Sequence, residues 1–109
     1  MAAFFIDLDG TVFRYHTCEW LPGVQERLLG WDKEGHDLVF ITRRDQDRDA
    51  NTPYSLDLTR AALDTLLPQR HLITDVQTPR ILIDDSPCFA WTTPRDSGVW
   101  LVPPADESA

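Results

Sequence analysis

The segment Ala3 to Leu8, AFFIDL, is a continuous apolar run interrupted by one aspartate and followed at once by Asp9, Gly10 and Thr11. Uninterrupted apolar character over five or six residues suits a strand buried on both faces, and Asp-Gly-Thr then forces a tight turn. Two further runs repeat the pattern. Asp37 to Thr42 (DLVFIT) ends in a threonine, and Arg80 to Asp84 (RILID) ends in a pair of aspartates, Asp84 and Asp85. Such strands are covered by helices, and the intervening sequence supplies them. Pro22 is placed to open a first helix, Val24, Leu28, Leu29 and Trp31 give it an apolar face, and Gly35 ends it. A second helix is expected over Leu56 to Leu67, with Leu58, Ala61, Ala62, Leu63 and Leu66 as its apolar face and Pro68 as its stop. Short strands at His71 to Thr74 and Gly98 to Val102, and a helix over about Pro87 to Asp96, complete an alternating α/β pattern of about five parallel strands. The polar stretch Arg43 to Ser55 reads as a loop above the sheet.

At 109 residues the chain has the length of one domain, expected over 1–103 with a flexible tail over 104–109. A formal charge of −8 argues against broad electrostatic capture of nucleic acid or anionic lipid, which requires Lys and Arg. Nine of the ten basic residues are Arg, and Lys33 is the only lysine. Cys18 and Cys88 lack paired metal-ligand spacing and read as reduced thiols; His16, His36 and His71 read as surface or loop residues, and the four Trp as core. No apolar run approaches the roughly 20 residues of a membrane span, and the N-terminus has no basic flank, so a soluble cytoplasmic protein is expected.

In parallel sheets, sites form beyond the carboxyl ends of the strands. Asp7 and Asp9, two apart on an extended run, point the same way and repel each other unless a cation or a proton intervenes. A hard divalent ion with oxygen ligands is the natural occupant. Asp84 and Asp85 end another apolar strand and would reach the same edge.

These strings resemble the haloacid dehalogenase-like phosphatases: DLDGT at Asp7 to Thr11 looks like that family's first motif, FIT ending in Thr42 like its second, and ILIDDS from Ile81 to Ser86 like its fourth. The resemblance implies a minimal, capless three-layer Rossmann-like fold and a Mg2+-dependent phosphomonoester hydrolase. Asp7 would attack phosphorus to give an aspartyl-phosphate, and Asp9 would protonate the leaving oxygen and then activate water. Mg2+ would be held by Asp7, the Asp9 carbonyl and Asp84, with Asp85 direct or through water. Thr42, with Leu8 and Gly10 in the turn, would contact the phosphoryl group. The substrate would be a small phosphate ester, a phosphoprotein or a nucleic-acid end, the last disfavoured by net charge. Two alternatives are a metal-binding regulatory module with lost or weak hydrolysis and a polynucleotide end-processing phosphatase.

The family's third motif, usually a lysine near the nucleophile, has no obvious counterpart. Lys33 closes the first helix at the far edge, and Arg80, opening the fourth strand, is expected at that same edge. Arg43 and Arg44 follow Thr42 and are the expected phosphate clamps. Only Asp75 to Pro79 separates the third and fourth expected strands, whereas a parallel crossover usually takes a dozen residues or more. Either His71 to Thr74 is not a regular parallel strand or the sheet departs from the family order.

Overall fold

The computed structural model describes residues 1–100, in which three parallel strands and two helices form an α/β unit. Strand β1 covers Ala3–Asp7, helix α1 Val24–Lys33, β2 Asp37–Ile41, α2 Leu56–Leu66 and β3 His71–Ile73. The sheet order is β1-β2-β3. Ala3 pairs with Asp37 and Asp7 with Ile41, while Val39 pairs with His71 and Ile41 with Ile73, so Asp7, Thr42 and Thr74 emerge at one carboxyl edge. Lys33 closes α1 a few residues before β2 begins, which puts it at the opposite edge as expected.

Both helices form where apolar spacing places them, with shifted faces. In α1, Val24, Leu28 and Trp31 are buried but Leu29 is 44% exposed. Gly23, at φ 79°, takes the cap position and α1 begins after it, two residues beyond Pro22. In α2, Leu58 is 51% exposed and the buried positions are Thr59 and Leu63, followed by Leu67. A polar residue therefore holds the inward face at the first turn of α2. The core gathers Ile6, Leu8, Val12, Phe13, Leu21, Leu38, Phe40 and Trp100 around these helix residues. Phe4 stacks on Trp31 at 4.0 Å, and Trp31 meets Trp100 at 5.5 Å.

The third expected strand is regular, and the sheet stops with it. Arg80 to Asp84 is not a strand: Ile81, Leu82 and Ile83 are 81%, 60% and 91% exposed. The five residues Asp75 to Pro79 extend to about 18 Å at most, too short for a crossover to the far side of β1. The helix expected over Pro87 to Asp96 is likewise irregular chain, as are Gly98 to Trp100; Leu101 and Val102 of the last expected strand, and the tail 104–109, lie outside the described residues. Cover on both faces of the sheet is correspondingly incomplete. Leu38 and Phe40 are buried, whereas Phe5 is 56% exposed because no described element lies over it. Two further expectations change: His36 is buried with its Nδ1 accepting from the Ala2 N–H, and Trp91 is exposed. Both cysteines are free. Among the described residues no helix is long and apolar enough to cross a membrane.

Candidate functional site

The turn after β1 is organised by one carbonyl. Leu8 O accepts from the N–H groups of Thr11, Val12 and Phe13, and Gly10 N–H donates to Phe13 O. Gly10 has φ 78°, and a Cβ there would lie 2.8 Å from Arg95 Cγ, so both backbone handedness and space demand glycine. The chain then doubles back, with Arg14 N–H on Glu19 O and Leu21 N–H on Val12 O, carrying Tyr15 and His16 out over the edge. Residues 94–100 return to clasp this turn: Asp96 N–H donates to Gly10 O, Tyr15 N–H to Asp96 Oδ1, and buried Trp100 donates from Nε1 to Thr11 O.

Asp7 and Asp9 project from this turn into different surroundings. Asp7, with its side chain 30% exposed, accepts from Thr11 Oγ1 at 3.2 Å and from Arg80 Nη1 at 2.7 Å. Asp9, 16% exposed, accepts from the His16 N–H at 2.9 Å and from both Nε and Nη2 of Arg44, at 3.2 and 2.9 Å. The two carboxylates that repel each other on paper are thus each matched by a guanidinium.

Arg80 lies at the opposite edge from the one its place in the sequence implies. It was expected at the amino edge because it would open a fourth strand; with that strand absent, it reaches Asp7 at the carboxyl edge. Its Nη2 donates to Val76 O at 3.4 Å, and its Nε is buried with no partner among the described residues. Arg43 is exposed and Arg44 is buried. Thr42 is fully buried, and its Oγ1 accepts from the Arg44 N–H. Leu8 is fully buried, and the Gly10 to Phe13 amides are spent on the turn itself.

Asp84 and Asp85 are exposed and bonded locally, Asp84 Oδ1 to the Ser86 N–H and Asp85 Oδ1 to the Ser86 hydroxyl. Among the described residues no group of three or more His, Cys, Asp or Glu side chains is positioned to hold a metal ion. The donors of Asp7, Asp9, Asp84 and Asp85 therefore do not fit Mg2+ in this arrangement, where Arg80 and Arg44 already neutralise the first two.

A ladder of planar groups flanks Asp9. Arg95 lies 4.3 Å above Tyr15, Tyr15 stacks on His16 at 4.0 Å, and His16 on Tyr54 at 4.5 Å. Of the other aromatics in the turn, Phe13 is fully buried and Trp20 packs on it at 4.9 Å.

No family model, curated protein or solved structure matches this chain.

Proposed function

We propose that the carboxyl edge of the sheet is the site of a phosphomonoester hydrolase of the haloacid dehalogenase-like type, working through Asp7. The observation that supports this reading best is the pair Asp7 and Asp9, two residues apart on one strand end, in unequal settings and each facing a guanidinium. An Asp7 oxygen attacks phosphorus, the bond to the ester oxygen breaks, and the proton on Asp9 passes to that oxygen. Water then attacks the aspartyl-phosphate, Asp9 takes its proton, and inorganic phosphate leaves. Arg80, with N–H groups not spent on Asp7, offsets the charge that the phosphoryl group brings.

The family pattern also implies a five-stranded sheet and a Mg2+ site; the described residues supply neither, and the steps above use neither.

The test is hydrolysis of p-nitrophenyl phosphate, phosphopeptides and 3′- and 5′-phosphorylated oligonucleotides, with and without Mg2+. Asp7→Asn should abolish turnover at unchanged melting temperature, because an amide cannot attack phosphorus. Equal rates in the two proteins would overturn the mechanism. A second reading, a regulatory module with weak or no hydrolysis, is favoured by the burial of Thr42 and the engaged turn amides. It predicts phosphate binding without turnover.

A further inference from the structure

Arg44 is 1% exposed and the largest of the fully buried side chains. A guanidinium has five N–H bonds and no acceptor. In Arg44 all five are spent: Nε on Asp9 Oδ2, Nη2 on Asp9 Oδ1 and on Thr17 O at 2.5 Å, and Nη1 on Thr59 Oγ1 at 2.7 Å and Cys18 Sγ at 3.4 Å. Its face also lies 5.2 Å from the Phe13 ring. Nothing remains for a phosphoryl oxygen.

We infer that Arg44 is a positioning residue for Asp9, closed to phosphate, and that its hold on Asp9 is set from α2 through Thr59. Thr59 is fully buried, accepts from Arg44 and donates to Ser55 O at 2.7 Å, one helical turn back. A line of hydrogen bonds therefore runs from the N-terminus of α2 to the carboxylate. A bidentate fork fixes the plane of that carboxylate as well as its place, which a point charge cannot do. Proton transfer to a leaving oxygen depends on such orientation. The inference rests on the reading in which Asp9 carries the proton. It reverses the expectation that Arg44 clamps the phosphate.

Two measurements test it. Thr59→Val keeps the shape of the side chain and removes the nearer of the two acceptors for Nη1, leaving Cys18 Sγ. It should lower kcat about tenfold, equivalent to ~1.4 kcal/mol, with KM within about twofold, and Thr59→Ser should restore kcat. A rise in KM at constant kcat, in Thr59→Val or in Arg44→Lys, would mark Arg44 as a substrate ligand and overturn the inference. The second measurement needs no turnover. The Arg44 Nε–H resonance should exchange slowly, shift in Asp9→Asn, and stay fixed on titration with inorganic phosphate. A resonance that moves with phosphate and ignores Asp9→Asn overturns the inference even in an active enzyme. One that behaves as expected in a chain inert toward every ester upholds the fork and removes the hydrolase reading instead.

Discussion

Asp49 is nearly buried, and three N–H donors converge on it: Arg48 Nε at 3.2 Å, Arg48 Nη2 at 3.1 Å and the Asp45 backbone at 2.9 Å. The Arg48 hydrogen bonds, opposed by burial and helped by the Asp45 N–H, hold its carboxyl below the usual aspartate range. A lowered folded-state pKa adds stability above the unfolded value and loses it as pH falls through the folded one. The loop 43–55 should therefore loosen on acidification below about pH 4. Thermal unfolding followed against pH should show a shallower acid limb in Asp49→Asn; identical limbs would remove Asp49 from the acid response. Partners of this kind were hidden in the sequence, where Arg48 and Asp49 are two charges in a polar run. The opposite fates of Arg43 and Arg44, which the expectation of two phosphate clamps treats alike, follow from strand alternation. Leu38, Phe40 and Thr42 are buried at every second position along β2, and extending that period by one step points Arg44 inward and Arg43 out. Arg80 could not be read in this way, because its place depends on whether the chain around it joins the sheet.

Ser55 caps α2 by accepting the Leu58 N–H at 3.2 Å through its hydroxyl. Ser55→Ala should cost about 1 kcal/mol and Ser55→Asp very little, read as shifts in the denaturation midpoint. No loss in Ser55→Ala would mean that α2 is held by its packing alone. The three strands and both helices stand within a few residues of where hydrophobic periodicity put them, because those signals are local. The failures are nonlocal. Ile81 to Ile83 has the side chains of a buried strand, yet a strand exists only by pairing, and the five-residue link from β3 does not deliver it to an edge. The inward face of α2 was missed for another reason. Counting leucines favoured Leu58, whereas Thr59 turns inward because a buried guanidinium needs its hydroxyl.

At the scale of the molecule, a net charge of −8 coexists with exposed Ile81, Leu82, Ile83, Phe89 and Trp91 and, among the described residues, with sheet edges on β1 and β3 that carry no partner strand. Repulsion between copies opposes the contact of such surfaces. Solubility should fall sharply toward the isoelectric point near pH 4.6, and Ile81→Lys with Ile83→Lys should reduce light scattering at a matched distance from the shifted isoelectric point. Unchanged scattering would place the adhesive surface elsewhere. The saturated guanidinium of Arg44 bears on how the chain reaches its native state. Its partners come from residues 9, 17, 18 and 59, so they are complete only after β1, the turn behind it and α2 have met. Until then a charge bound for the interior keeps its water. Shedding that water requires those elements together, and a chain that has formed its sheet without α2 still lacks the Thr59 acceptor for this guanidinium.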